Sequence, residues 1–273
     1  MRKEVQTDDI QLIAIDLDGT LLTSRGVLAP EGARLLRKVA QRGKHVVLAT
    51  TRTPDSVLPF CSALELNDPI ICTNGAEVWG APNGPVWAYH AISYEAALKI
   101  TQLADAQDWE LSTTVGQITY LRQRPGQILG PISANVSVVA TNSDALVDEP
   151  VRILTWHPDA VAAIERLCQT EFNRQCYTET YYRPDGAIHS LGVFALKADK
   201  GTALQLVLDR LGLTAQQVLA IGDNFNDLPL FTQARVRVAL ANAPNAVKQK
   251  ASVVAPTNDE EGVAWALRAY GVG

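Results

Sequence analysis

The stretch IAIDLDGTLLTS, residues 13–24, ends an apolar run with two carboxylates, Asp16 and Asp18, one residue apart. Aspartate is depleted in β-strands, and two like charges in close proximity repel each other. If the strand continues to residue 18, its alternation places both side chains on one face, and Gly19 lets the chain approach a ligand closely. The sequence therefore predicts a strand that ends at a site where cationic groups stabilise both carboxylates.

The composition is typical of a globular protein. The 273 residues are 47% hydrophobic and carry a net charge of -5, which allows a substantial core but gives no basic footprint for nucleic acid. The N-terminal sequence is too polar for a signal peptide, and no window approaches the roughly 18 apolar residues of a membrane helix. We therefore expect a cytoplasmic protein that binds a small molecule and neither nucleic acid nor membrane. The sequence carries no indication of oligomeric state.

Strand-like and helical segments alternate at both ends of the chain, which predicts parallel strands covered by helices. From about residue 87 the pattern changes to a helix and a hairpin, followed by a second helix and a hairpin that turns at Pro184-Asp185-Gly186. We therefore predict an α/β fold with a discontinuous core, residues 1–86 and 190–273. An inserted α+β domain with an antiparallel sheet is expected over residues 87–189.

Polar residues follow the predicted core strands at their carboxyl ends, where open α/β sheets bind ligands. They are Asp16 and Asp18, Thr50 and Thr51, Asn74, and Asp223 with Asn226 and Asp227. Four aspartates repel strongly unless cations lie among them, and an all-oxygen set of ligands suits Mg²⁺, which also binds substrate phosphate. The residues therefore predict a magnesium site at this edge of the sheet.

Two further residues near these strand ends carry local predictions. Lys200 lies at or near a helix start, where a cation opposes the macrodipole by about 0.3–1 kcal/mol. That placement is favourable if the helix end and the ammonium group together hold a phosphate. The segment Thr73-Asn74-Gly75 is typical of a turn with Gly75 at positive φ.

The order of these motifs resembles the haloacid dehalogenase superfamily of phosphohydrolases, and within it the Cof-type (subclass IIB), sugar-phosphatase-like branch. The matching segments cover nearly the whole chain: DLDGTLL, ICTNGA, DKGTAL, GDNFNDLPLF, ANAPNAVKQKA and TNDEEGVAWAL. The resemblance implies a Rossmann-like core with an inserted C2-type cap. It also implies Mg²⁺-dependent hydrolysis of small phosphate monoesters, with sugar phosphates as the expected substrates, through an aspartyl-phosphate.

The resemblance further implies roles for individual residues. Asp16 is the expected nucleophile, and Asp18 is the expected general acid and base. The expected Mg²⁺ site comprises Asp16, Asp18 through its backbone carbonyl, Asp223, and Asp227 through the waters of the metal. The expected substrate and phosphate contacts are Thr50, Thr51, Arg52, Lys200 and Asn226.

Two positions depart from the usual family pattern: Ala241, where the family often has glycine and a minor effect is expected, and Thr51. The family's second motif is usually Ala-Thr-Gly-Arg, and this chain has Thr51 at the glycine position. If that position takes a positive φ, a β-branched residue there costs about 1–3 kcal/mol. If φ is negative, Thr51 is harmless and adds a hydroxyl group.

Three other functions match part of the pattern. A phosphomutase shares the nucleophile and the cap type but releases no phosphate. A receiver-like phospho-acceptor also gathers acidic residues around Mg²⁺, but a general base at Asp18 would shorten the life of its phosphoenzyme. A phosphosugar-binding module would not need Asp16 and Asp18 together. The sequence therefore favours a phosphatase over these alternatives.

Overall fold

The computed structural model describes residues 9–123, 135–182 and 186–272. The chain divides into two compact units, Met1–Ala88 with Asp199–Gly273, and Tyr89–Ala198. We call the first unit the core and the second unit the cap. No helix in the described residues is both long enough and apolar enough to cross a membrane.

The strands and helices of the described residues are numbered in chain order. The strands are β1 (Leu12–Ile15), β2 (His45–Ala49), β3 (Ile70–Cys72), β4 (Glu77–Trp79), β5 (Val86–Tyr89), β6 (Ser112–Val115), β7 (Ile118–Arg122), β8 (Val136–Val139), β9 (Arg152–Thr155), β10 (Cys176–Tyr182), β11 (Ile188–Ala195), β12 (Val218–Gly222), β13 (Val236–Leu240) and β14 (Val253–Ala255). The helices are α1 (Pro30–Gln41), α2 (Pro54–Ala63), α3 (Tyr94–Ala106), α4 (Pro158–Thr170), α5 (Lys200–Leu211), α6 (Leu228–Thr232), α7 (Asn245–Lys248) and α8 (Gly262–Ala269).

The core sheet has the order β14-β13-β12-β1-β2-β3-β4-β5, and the six strands from β14 to β3 are parallel. This arrangement confirms the predicted α/β fold with a Rossmann-like parallel sheet. Two strands were not predicted: β4, which is antiparallel to β3, and the edge strand β5. Since β1 lies between the parallel strands β12 and β2, Asp16, the residue directly after β1, lies between the carboxyl ends of these two strands.

Alternate residues of β1 pack into different apolar clusters. Ile13 and Ile15 belong to a cluster that includes Leu36 of α1. Leu12 and Ala14 belong to a second cluster, which includes α5 residues. All four residues of β1 are fully buried, as expected for a parallel strand covered by helices on both faces. The sheet is therefore held between two helical layers, and its strand ends are fixed by packing.

The cap contains a six-stranded sheet in the order β10-β11-β9-β6-β7-β8. Its neighbouring strands are antiparallel, except for β7 and β8, which are parallel. Helices α3 and α4 contribute Ile100 and Ile164 to an apolar cluster with sheet residues Ile153 and Leu191. Both predicted helices and both predicted hairpins form, but β8 and β9 were not predicted. Residues Pro184 and Asp185 of the predicted turn lie outside the described residues.

Candidate active site

The chain turns sharply directly after β1. Residues Leu17–Leu21 form a short coil in which Gly19 has a φ of 79°. A Cβ atom at Gly19 would lie 2.4 Å from a carboxylate oxygen of Asp223, so only glycine fits this approach. The strand ends at Ile15, so the condition under which alternation would place Asp16 and Asp18 on one face is not met.

Asp16 joins a cluster of buried charges at the centre of this sheet edge. Carboxylate oxygens of Asp16, Asp223 and Asp227 lie within 4.8 Å of one another. The Nζ atom of Lys200 donates hydrogen bonds of 2.7 Å to Oδ1 of Asp16 and to Oδ1 of Asp227. Lys200 and Asp227 are fully buried, and Asp16 is 5% exposed. We call these four residues the buried cluster.

The charges of the buried cluster do not balance, because three carboxylates face one ammonium group. Burial raises the pKa of Asp16 well above its ordinary value, although Lys200 opposes that change. Burial, assisted by the charge of Asp227, raises the pKa of Asp223 to about 7. Burial alone would lower the pKa of Lys200, but its two carboxylate partners raise it above the ordinary value. The excess negative charge and the all-oxygen donor set fit a divalent cation such as Mg²⁺.

Two residues without a predicted role hold this cluster in place. The hydroxyl group of Thr20 donates to Oδ1 of Asp223 at 2.7 Å. The side-chain amide of Asn242 donates to the carbonyl of Gly19 at 2.8 Å and to Oδ2 of Asp223 at 3.3 Å. Both residues lie in motifs that the sequence analysis quoted, DLDGTLL and ANAPNAVKQKA, but neither residue carries a charge that would have drawn attention to it.

Asp227 uses both of its carboxylate oxygens within the protein. Its Oδ1 accepts from Lys200, while its Oδ2 accepts from the backbone N–H groups of Asp223 at 2.9 Å and Asn224 at 3.0 Å. These contacts fix the loop that follows β12. Asp227 therefore positions both the ammonium group and Asp223.

Lys200 is the first residue of α5, but the helix end does not present its N–H groups to the site. The Asp199 carboxylate accepts hydrogen bonds from the N–H groups of Gly201 and Thr202, each at 2.9 Å. This is an ordinary N-cap. The expectation that the helix end and Lys200 jointly hold a phosphate is therefore wrong, since the side chain of Asp199 already satisfies these donors.

The segment that follows β2 supplies a second ion pair at this edge of the core sheet, between Arg52 and Asp18. Thr50 is buried, and its Oγ1 accepts from the N–H of Arg52 at 3.2 Å. Thr51 does not take a positive φ, so its replacement of glycine introduces no backbone strain. The guanidinium group of Arg52 donates through Nε and Nη2 to the two carboxylate oxygens of Asp18, each at 2.7 Å. We call Arg52 and Asp18 the exposed pair, because their side chains are 31% and 50% exposed.

The segment that follows β3 is a left-handed turn. Thr73, Asn74 and Gly75 have φ values of 51°, 58° and 93°, which confirms the positive φ at Gly75 and adds two residues that were not expected to share it. The first two N–H groups of the turn bind backbone carbonyls within residues 50–52. Asn226 donates from its side chain to Oδ1 of Asn74 at 3.2 Å. This turn therefore connects the segments after β2, β3 and β12.

Comparisons with known proteins agree with this architecture. A family model described as haloacid dehalogenase-like hydrolase matches residues 13–267. A 5-amino-6-(5-phospho-D-ribitylamino)uracil phosphatase of Bacillus subtilis is 27% identical over 262 residues, which cover 95% of each chain. A pyridoxal phosphate phosphatase of Escherichia coli is 25% identical over 263 residues, which cover 93% of this chain and 96% of that protein.

Solved structures show the same fold at lower sequence identity. A haloacid dehalogenase-like hydrolase from Bacteroides thetaiotaomicron aligns with a TM-score of 0.80 and 23% identity, covering 95% of this chain and 99% of the other. A structure described as a HAD subclass IIB sugar phosphatase aligns with a TM-score of 0.80 and 18% identity, covering 96% of this chain and 100% of the other. At these identities the likeness establishes the fold.

Proposed function

We propose that this chain, which belongs to the haloacid dehalogenase-like hydrolase family and is a phosphatase of the Cof type, hydrolyses small phosphate monoesters with the help of Mg²⁺. The observation that carries the proposal is the buried cluster. A carboxylate at a strand end, held by a buried lysine beside further carboxylates, suits a nucleophile that needs a cation to approach a phosphate group. A receiver-like phospho-acceptor or a phosphosugar-binding module does not turn over a substrate, so neither would need the buried cluster together with Asp18.

The first proposed step transfers the phosphoryl group to Asp16. Lys200 binds Oδ1 of Asp16, so we assign the attack on phosphorus to Oδ2. The bond from Oδ2 to phosphorus forms as the bond from phosphorus to the leaving oxygen breaks, and Asp18 gives its proton to that oxygen. The product of this step is an aspartyl-phosphate at Asp16 and a free alcohol.

The second proposed step restores the enzyme. Asp18 takes a proton from a water molecule whose oxygen attacks phosphorus, the bond to Asp16 breaks, and inorganic phosphate leaves. We assign contacts with the phosphoryl group to Lys200 and the Thr50–Thr51 segment, and contacts with the substrate to Asn226. These assignments rest on the positions of the side chains at the strand ends.

Mg²⁺ would be held by the carboxylates of Asp16 and Asp223 and the backbone carbonyl of Asp18, with Asp227 supporting its waters. When bound, it supplies positive charge that offsets the carboxylates and the negative charge of the transferring phosphoryl group. The protein's own part is to hold these oxygens together. Thr20, Asn242 and Asp227 do so through the hydrogen bonds described above.

The substrate class that we propose is the small phosphate monoester, with sugar phosphates as the first candidates. Two relatives act on different phosphates, one on a ribityl phosphate and one on pyridoxal phosphate. A test panel should therefore combine hexose and pentose phosphates with these two esters. Differences in turnover among them would identify the leaving group that this enzyme prefers.

The proposal is tested by incubating the purified protein with this panel and measuring inorganic phosphate, once with Mg²⁺ and once with EDTA. We expect release from at least one ester with Mg²⁺ and none with EDTA. Asp16→Asn is nearly isosteric but cannot attack phosphorus, so it should release less than about 1% of the wild-type phosphate. Isomerisation of an ester without phosphate release would instead identify a phosphomutase, and a variant that keeps substantial turnover would remove Asp16 from the nucleophile role.

A further inference from the structure

Arg52 holds Asp18 by a contact that constrains direction as well as distance. Two parallel hydrogen bonds, from Nε to Oδ2 and from Nη2 to Oδ1, are each 2.7 Å long. Such a bidentate arrangement fixes the plane of the carboxylate, which a single hydrogen bond does not do. Asp18 is therefore held in one orientation by Arg52.

Arg52 is itself restrained, both at its guanidinium group and at its backbone. It lies over the ring of Phe60, with its central carbon 5.1 Å from the ring centroid. The backbone of Arg52 is tied at both ends, because its N–H donates to Thr50 Oγ1 and its carbonyl accepts from the N–H of Thr73. Stacking and backbone contacts of this kind pre-organise an arginine fork. Arg52 is thus a pre-organised donor for the carboxylate of Asp18.

We propose that Arg52 is the positioning residue for Asp18, and that it is not a ligand of the phosphate. Arg52 holds the carboxylate in the orientation from which Asp18, once it has taken up a proton from solvent, protonates the leaving oxygen. This inference rests on the proposed function. It reassigns Arg52, which the sequence analysis placed among the phosphate and substrate contacts. The reason is geometric: the Nε–Nη2 edge of the guanidinium group, one of the two edges that can form a bidentate contact with phosphate, already binds Asp18.

Two substrates with the same phosphoryl group and different leaving groups separate the two roles. 4-Nitrophenyl phosphate has a leaving oxygen that needs little protonation, whereas an alkyl phosphate drawn from the panel needs a proton. The quantity to measure is kcat/KM, which reports the steps up to the transfer onto Asp16. We expect Arg52→Ala to lower kcat/KM for the alkyl ester by about tenfold or more, and for the aryl ester by less than about threefold. Equal losses on both esters would assign Arg52 to the phosphate and overturn the proposal.

A double mutant tests whether Arg52 acts through Asp18. On the alkyl ester, Arg52→Ala introduced into Asp18→Asn should lower kcat/KM by less than about twofold beyond the single variant, since the group to be positioned is already lost. Independent, multiplicative losses would overturn the proposal. Arg52→Lys keeps the charge but loses the fork, so it should resemble Arg52→Ala.

Arg34 provides a matched control. It forms the same kind of fork, from Nε and Nη2 to the two carboxylate oxygens of Glu31 at 2.9 Å, but on α1 and outside the proposed site. Arg34→Ala should leave kcat/KM on both esters within about twofold of wild type. A leaving-group effect in this variant as large as that of Arg52→Ala would show that the effect is not specific to Asp18 and would overturn the inference.

A measurement without substrate separates this inference from the proposed function. The NMR signal of the Arg52 Nε–H group reports its hydrogen bond, and Asp18→Asn should shift that signal and speed its exchange with water. An unchanged signal would overturn the inference even if the enzyme is active. If the wild-type protein turns over no ester, the proposed function fails and the catalytic role of Arg52 fails with it, whereas turnover with equal losses rejects the inference alone.

Discussion

The buried cluster and the exposed pair contain ion pairs of equal length at one edge of the core sheet. Lys200 lies 2.7 Å from Asp16 and from Asp227, and Arg52 lies 2.7 Å from Asp18. Their exposure differs, since the side chain of Lys200 is 0% exposed and that of Asp18 is 50% exposed. The distance between the charged atoms therefore does not by itself determine how much an ion pair contributes to the stability of the fold.

The difference follows from solvation. A buried pair has lost its water, so removing one partner leaves an uncompensated charge in the interior. An exposed pair is screened by water and contributes about 0–1 kcal/mol to stability. We infer that the buried cluster is part of the architecture of the core as well as of the reaction, whereas the exposed pair acts mainly in the reaction. The four predictions below begin with the largest expected effect on the free energy of unfolding and end with a substitution that removes no charge.

The largest effect is expected for Lys200→Ala. The substitution leaves the carboxylates of Asp16 and Asp227 without their shared cation, so it should lower the free energy of unfolding by about 3–5 kcal/mol in metal-free protein. It should also lower kcat/KM by at least about 10²-fold, the loss typical of removing one stabilising donor. Urea unfolding and ester hydrolysis measure the two effects.

Lys197 is the control for this prediction, because it is an exposed lysine three residues earlier in the chain. Lys197→Ala should change stability by less than about 0.5 kcal/mol and kcat/KM by only a few-fold. The reverse ranking of the two variants would transfer the cationic role from Lys200 to Lys197 and remove the distinction between buried and exposed contacts.

The next effect concerns pH and involves Asp223. Because its pKa is raised to about 7 in the folded state, the folded protein keeps a proton that the unfolded chain has already released above pH 4. The stability contributed by this group therefore falls as pH rises from about 5 to 8 in EDTA. We expect the melting temperature of wild type, relative to Asp223→Asn, to fall over that range, and Mg²⁺ to reverse the trend by favouring the ionised carboxylate.

Asp259 provides the control for the pH experiment. Hydrogen bonds from Ser24 lower the pKa of this exposed carboxyl group, so its contribution is already complete above pH 5. The difference in melting temperature between wild type and Asp259→Asn should therefore be flat over the same range. A flat difference for Asp223→Asn as well would contradict the assignment of Asp223 to the buried cluster.

A smaller effect on stability is expected for Asp18→Asn. The exposed pair is screened, so the free energy of unfolding should fall by no more than about 1 kcal/mol. The kcat/KM for an ester with a poor leaving group should nevertheless fall by about 10²–10⁴-fold, because the general acid is lost. A stability loss as large as that of Lys200→Ala would break the comparison, and wild-type turnover would remove Asp18 from proton transfer.

The smallest overall effect is expected for Thr51→Gly, which removes no charged group, at the position between buried Thr50 and half-buried Arg52. Since Thr51 does not take a positive φ, glycine relieves no strain and only makes the unfolded chain more flexible. We expect the free energy of unfolding to fall by about 0.5–1 kcal/mol. An increase in stability, measured by the same urea titration, would show that the position favours glycine after all.

The sequence was informative where charges follow apolar strands. Asp16 and Asp223 stand directly after parallel strands, and Asp227 lies in the short turn that follows β12. Strand order brings such ends together without any knowledge of side-chain packing. Lys200 could be placed through its motif. The partner of Asp18 could not be predicted in the same way, because the turn at Gly19 sets the direction of that carboxylate.

The cap was harder to predict than the core. Its strands β8 and β9 have four residues each, as β1 does, but they include polar residues and are only partly buried, whereas all four residues of β1 are apolar and buried. Short, half-exposed strands leave a weak periodic signal, so the sheet was underestimated. The N-cap of α5 was also not predicted, although Asp199, directly before the helix, is an ordinary N-cap residue.

The interrupted course of the chain has a consequence for the order of folding. The contact between Asp16 and Lys200 joins residues 184 positions apart, and β1 cannot pair with β12 until Val218–Gly222 has been synthesised. The cap, Tyr89–Ala198, is complete in sequence before that point. During synthesis from the N-terminus, we therefore expect the cap to fold first, while one edge of β1 stays unpaired and open to aggregation. The buried cluster is then among the last parts of the protein to assemble on the ribosome.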